Sequence, residues 1–244
     1  MGVYWDRVRR HFNFSVAEVR DVVIAILVMT LIFGFNDGRE NFVAYLWITN
    51  IIKVLFIVMI SVALHVCMQK LVGLISSYKA EFRIWPYGVV IGLLLTIVSS
   101  GKLYFLAPGG VLIHHMTLHR LGMFRYGLST YLSTIIAFSG PLSNIILALI
   151  FKILYFSTNI EIFSIIVVFN LWYAVFSMLP VPPLDGSTAF FGGRSTYALF
   201  FSFIIAASIM IAISSTLVVM LFGSLFLSVF FWFIYYLAIE RHMM

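Results

Sequence analysis

The chain has 244 residues, 63% of them hydrophobic and only 10% charged, with a mean hydropathy of +1.09 and a net charge of +6. A soluble globular domain keeps its apolar fraction nearer one half and its charged fraction nearer one quarter. Composition therefore excludes one and indicates a polytopic, all-α membrane protein, with room for about six crossings at roughly 20 residues each.

The lysines and arginines are scattered at the ends of apolar runs rather than gathered in a patch. They act as topology signals, and no nucleic-acid surface is expected. Residues 1–21 hold Arg7, Arg9 and Arg10, and no small-residue cleavage site follows the first apolar run, which argues against a cleaved signal peptide. Trp5, Phe12, Phe14 and Val16 make this stretch an amphipathic lead-in able to rest at the membrane interface. A single transmembrane domain over 22–244 follows.

Apolar runs predict spans at Val22–Phe35, Val54–Ser76, Leu128–Phe156, Ile162–Leu179, Ala198–Phe222 and Ser224–Ile239. The first is short and must recruit residues upstream of Val22. The last two form one apolar run, divided at Gly223 because a single helix of that length would far exceed the bilayer. The single cysteine, Cys67, lies in the second run, so no intrachain disulfide is possible.

The stretch Tyr87–Ala107 is apolar enough to cross, yet Gly88, Gly92, Ser99-Ser100-Gly101 and Lys102 interrupt it, and Pro108-Gly109-Gly110 follow. If it turns back, the bases at 7, 9, 10, 70, 79, 83, 120, 125, 194 and 241 share one side of the membrane, as the positive-inside rule requires. Both termini are then cytoplasmic. The segment near 87–111 is expected to be a re-entrant hairpin or embedded sheet, which is tolerable at depth only against protein or a cavity.

One carboxylate falls at membrane depth, where an acid is expensive and normally faces a partner or a cavity. It is Asp185, which follows the proline-rich break Leu179-Pro180-Val181-Pro182-Pro183-Leu184 and is expected to sit in a tight non-helical turn before Gly186. On the second span, His65 and Gln69 stand at i and i+4 on one helix face. That is the spacing of His-Glu-x-x-His, in which two imidazoles bind zinc and the glutamate is the general base.

Several segments together resemble the site-2 protease family of intramembrane zinc metalloproteases, over most of residues 54–190. Its His-Glu-x-x-His motif falls on His65–Gln69, and its Asn-x-x-Pro-x-x-x-Leu-Asp-Gly motif on Ser177–Gly186. Ala107-Pro108-Gly109-Gly110-Val111 resembles the glycine-rich sheet segment, and Ser139-Gly140-Pro141-Leu142-Ser143-Asn144 a Gly-Pro-x-x-Asn helix start. Lys70 with Ala80–Pro86 looks most like the archaeal branch. The resemblance implies a six-span core with both motifs at one depth, and a zinc held by His65, the residue at 69 and Asp185.

The chain departs from these motifs at three positions. Val66 stands where the family has its general base and can neither accept nor return a proton. Gln69 replaces the second imidazole, and Ser177 the asparagine. His65 and Asp185 remain as ligands, against the three that a catalytic zinc takes from protein. The expectation is a non-catalytic homologue that binds transmembrane helices, without zinc at high occupancy.

The alternative is an active zinc endopeptidase in which Gln69 or one of His114, His115 and His119 completes the site and another group supplies the base, or else an engineered inactive copy of such an enzyme. A small transporter ranks last, for want of internal inverted repeats. His115 and His119 keep i,i+4 spacing, but beside Arg120 and Arg125 the cluster is read as an interfacial segment meeting lipid headgroups.

Overall fold

The computed structural model describes residues 3–39, 42–116 and 128–242. In chain order they form α1 (Val3–His11), α2 (Val16–Gly34), α3 (Ala44–Ile75), β1 (Tyr78–Ile84), α4 (Pro86–Val98), β2 (Gly109–His115), α5 (Thr130–Thr158), α6 (Glu161–Ser177), α7 (Asp185–Gly192), α8 (Arg194–Ile213) and α9 (Leu217–Ala238). A single 3-10 turn, Glu240–His242, follows α9. Four helices, α3, α5, α8 and α9, are long and apolar enough to cross a membrane, so the protein is an integral membrane protein. The apolar helices α4 and α6 are shorter, and α2 is apolar beyond the charges of its first turns, Glu18, Arg20 and Asp21.

Several boundaries differ from the sequence reading. Residues 16–21 belong to α2, which Ser15 caps by accepting from the Glu18 N–H at 3.1 Å, so the lead-in helix is α1 alone. Helix α3 starts ten residues before Val54 and carries Lys53 inside it, because a lysine can run its stem along an apolar surface and keep its charge in water. The last apolar run divides at Ser214-Ser215-Thr216 rather than at Gly223, which lies within α9. Three consecutive hydroxyl residues, whose side chains compete for backbone hydrogen bonds, are better suited to leave a helix than a single glycine.

The stretch after Pro86 turns back as a helix and a return segment, and the sheet expected near 87–111 is confined to its end, where β2 begins at Gly109. Helix α4 runs out for 13 residues, about 20 Å at 1.5 Å per residue. Ser100 and Gly101 reverse it with positive φ (52° and 74°), and residues 102–108 return along it without regular secondary structure. The Trp85 N–H donates to the Pro108 carbonyl at 2.7 Å, so the excursion ends where it began. The small face of α4 permits this: a Cβ on Gly92 would stand 2.9 Å from the carbonyl oxygen of Phe105. Strands β1 and β2, which flank the excursion, pair antiparallel from Tyr78↔His115 to Ile84↔Gly109.

Inside a bilayer, helices associate through packing and hydrogen bonds rather than by escaping water. One apolar cluster joins α2, α3 and α6 around Met29, Val58, Val66 and Phe169. A second joins α5, α6, α7 and α8 around Ala148, Ala174, Ala189 and Ile204. The hairpin is fastened by charge. Lys70 of α3, only 2% exposed, donates to Glu18 Oε2 at 2.6 Å and to the Asn13 carbonyl at 2.8 Å, and it lies 3.8 Å from the Phe14 ring centroid. Glu18 Oε1 in turn accepts from the outward N–H of Phe82 at 3.3 Å, which closes the free edge of β1.

Removing one member of this pair strands a buried charge, a loss on the order of 3–5 kcal/mol, whereas neutralising both is far cheaper. Lys70→Met should therefore lower the thermal midpoint of the purified protein sharply. The double variant Glu18→Gln/Lys70→Met should recover most of the loss, and a double variant no more stable than the single one would refute this account of the pair.

Candidate active site

The site forms where α3, α5, α6, β2 and the start of α7 meet. Helical spacing puts Ser61, His65 and Gln69 on one face of α3. All three side chains are buried. Asp185 is the first residue of α7 and therefore helical, contrary to the expected non-helical turn. Two prolines that cannot continue a helix stop the chain just ahead of it, and a carboxylate in the first turn is favoured by the helix dipole.

His65 and Asp185 meet directly, with Nε2 to Oδ2 at 2.9 Å and exposures of 1% each. Asp185 Oδ1 accepts the outward N–H of Val111 at 2.9 Å. Phe82 and Val111 are opposite each other in the hairpin, so both outward N–H groups of that rung are satisfied by carboxylates, from Glu18 on one side and Asp185 on the other. The far ring nitrogen of His65, Nδ1, lies 3.1 Å from Asn144 Nδ2. Tyr173 stacks on the imidazole, with centroids 4.7 Å apart and planes inclined by 27°. An Nε2–H donating to Asp185 and an Nδ1 accepting from Asn144 account for both ring nitrogens of a neutral imidazole.

Gln69 is held elsewhere. Pro141 lies inside α5 and has no N–H, so the carbonyl four residues before it, that of Ala137, lacks its helical donor. Gln69 Nε2 donates to that carbonyl at 3.4 Å. This turns the amide nitrogen to α5 and leaves Oε1 buried without a partner among the described residues. Ser177, at the motif's asparagine position, turns back to the Ala174 carbonyl at 3.0 Å. Val66 is 3% exposed and packs in the α2–α3–α6 cluster.

The zinc that the resemblance implies can be tested against these donors. The described residues hold no cluster of three His, Cys, Asp or Glu side chains. His65 Nε2 and Asp185 Oδ2 already satisfy each other, and the amide at 69 presents nitrogen, which cannot ligate, toward the α5 backbone. A catalytic zinc takes three protein ligands and keeps a fourth position open, and this donor set does not fit one. Only part of the second histidine cluster lies among the described residues. His114 and His115 lie on β2, where neighbouring side chains point to opposite faces of the strand. His119, Arg120 and Arg125 lie outside the described residues.

Sequence reasoning did not single out Asn144 or Tyr173 as site residues. Asn144 had a signal in the Gly-Pro-x-x-Asn segment, but that segment is mid-helix in α5, not a helix start. Tyr173 had none, being one aromatic among many on an apolar helix. Gly140 is the closest approach of α5 to the site: a Cβ there would meet His65 Nε2 and stand 2.7 Å from Gln69 Nε2. Gly140→Ala should therefore cost about 1–3 kcal/mol, as overpacking of a filled interior does. Unfolding of the purified variant would measure it, and an unchanged midpoint would show that the helices are not in contact there.

No family model matches the chain, and no solved structure matches it significantly. A protein of Methanocaldococcus jannaschii named "Putative zinc metalloprotease MJ0611" is 32% identical over 184 residues, covering 72% of this chain and 84% of that relative. A likeness of that extent, together with the meeting of the 65–69 and 177–186 motifs in one buried site, shows that the protein belongs to the site-2-protease-like family.

Proposed function

We propose that the protein is a non-catalytic member of this family, one that retains the membrane-embedded bundle and its hairpin and uses them to hold a transmembrane helix of a partner protein. The observation that carries this reading is the bond between His65 and Asp185, with a buried valine, Val66, beside it where the chemistry needs a base. A hydrolytic site needs a group that takes a proton from water and returns it to the leaving amine. Nothing at 66 can do so, and the donor set does not fit the zinc that would activate that water.

On this reading α2, α3, α5, α6, α8 and α9 are six crossings and α4 is a re-entrant excursion between them. Both termini then lie in the cytoplasm, by the positive-inside pattern. A partner helix that unwinds locally could add a strand along the outer edge of β2. Alternation puts the N–H of Ile113 outward there, next to the Val111 N–H that Asp185 occupies.

Metal analysis of the purified chain tests the first half. Zinc should be far below one per chain, and Gln69→His, which supplies the missing imidazole, should raise it. Stoichiometric zinc in the unaltered protein, lost in His65→Ala, would overturn the proposal. A second reading, an active endopeptidase with a modified site, is favoured by one atom. Gln69 Oε1 is a buried acceptor without a partner among the described residues, and a turn of the amide would offer it as a weak ligand. Under the proposal a transmembrane substrate incubated with the protein and zinc in liposomes should remain intact. Cleavage that disappears in Asp185→Asn would establish the active form.

A further inference from the structure

A groove on the outside of the bundle, remote from the hairpin, has the form of a lipid site. It encloses about 430 Å³ between α3, α5 and α6, and its walls include Phe56 and Ile60 of α3, Phe151 of α5, and Ile162 and Ile166 of α6. Lys53 stands at one end and Ser61 at the other. The surface between them is almost wholly apolar, which in a bilayer is no reason by itself to bind anything.

The ends are what distinguish it. From Lys53 to Lys70 on α3 is 17 residues, about 26 Å of helix, close to the roughly 30 Å thickness of a hydrocarbon core. Lys53 therefore stands near one interface when the hairpin end stands near the other. From Lys53 to Ser61 is about 12 Å along the helix, close to the roughly 15 Å depth of a single leaflet.

The Lys53 side chain has no hydrogen-bond or ionic partner among the described residues. Lys152, next to Phe151, is occupied with the Ala212 carbonyl at 3.4 Å and the Phe156 ring at 5.1 Å. Glu161, exposed at the start of α6 beside Ile162, adds one carboxylate near that end. The deep end is closed, because Ser61 donates to Ile57 and accepts from Asn170 at 2.9 Å in each case. The groove is thus one leaflet deep, apolar along its length, and headed by an unpaired ammonium with a carboxylate nearby.

We propose that it binds a phospholipid: one acyl chain lies along the groove, the phosphate sits on Lys53, and an ammonium beyond the phosphate faces Glu161. This does not depend on whether the His65–Asp185 site is catalytic. It rests only on α3 crossing the membrane.

Native mass spectrometry of the full chain in detergent, titrated with phosphatidylethanolamine, reads it directly. About one lipid per chain should survive activation of the unaltered protein. Lys53→Ala should reduce retention roughly fivefold, the effect of one lysine at a lipid surface. Ile60→Trp, on a side chain 53% exposed, should abolish it by filling the groove while leaving the lysine in place. Diacylglycerol with the same chains, lacking the phosphate, should be retained no better than the Lys53→Ala protein retains the phospholipid. Equal retention by all three proteins, or equal retention of diacylglycerol, would overturn the proposal. So would a co-purifying polypeptide that occupies the groove and is displaced by Ile60→Trp.

Discussion

A polar side chain in a membrane interior must find a partner inside the protein, because the lipid supplies none. The bond between His65 and Asp185 meets that requirement for two of the most costly groups in the chain, across 120 residues of sequence. Much of the architecture is arranged around it. Helix α3 must present His65 inward, α7 must begin where Asp185 can reach it, and β2 must lie close enough for Val111 to donate to the second carboxylate oxygen. The turn-back after α4 follows from this, since both strands have to be returned to one end of the bundle.

The same requirement explains features that look unrelated. Pro141 deprives the Ala137 carbonyl of its helical donor, and Gln69 replaces it from the neighbouring helix. The proline in α5 and the amide on α3 are thus one feature in two places, and Gly140 between them supplies the close approach. At the cytoplasm-facing end of the proposed topology, Lys70, Glu18 and the outward edge of β1 form a parallel arrangement. A carboxylate takes a strand N–H on one side of the hairpin and another carboxylate does so on the other. The hairpin is thereby held between α2 and α7 by charge-assisted hydrogen bonds, which are stronger than neutral ones.

On the proposed reading, this explains how a catalytic architecture can persist without its chemistry. A lone buried histidine or aspartate left by the loss of a metal would be strongly destabilising. Here each serves as the other's partner, Asn144 and Tyr173 hold the imidazole in place, and Val66 contributes packing where a glutamate would need a proton or a cation beside it. A helix-binding role then needs only the bundle surface and the strand edge, and both are products of backbone placement.

Much of this was legible in the sequence because composition and hydrophobic period are local properties. Apolar runs located α2, α3, α5, α6, α8 and α9 to within a few residues, apart from the starts of α2 and α3 and the break at 214–216. The motif residues named His65, Gln69 and Asp185. Sequence could not show that β1 exists, since a seven-residue strand of mixed polarity acquires its meaning only from its partner 31 positions away, as Ala80 does opposite Ile113 at 33. Nor could it recruit Asn144 and Tyr173, whose role depends on which face of α5 and α6 turns toward His65.

By itself, then, the sequence determined that the chain enters a membrane, roughly where, and which polar residues would need partners there, because those follow from each residue's own transfer cost. Which partner each one found, down to the amide of Gln69 turning to a carbonyl freed by a proline rather than to a metal, only the tertiary structure decided. Hydrogen-bond pairing depends on distances of a few ångströms between helices that the sequence places far apart.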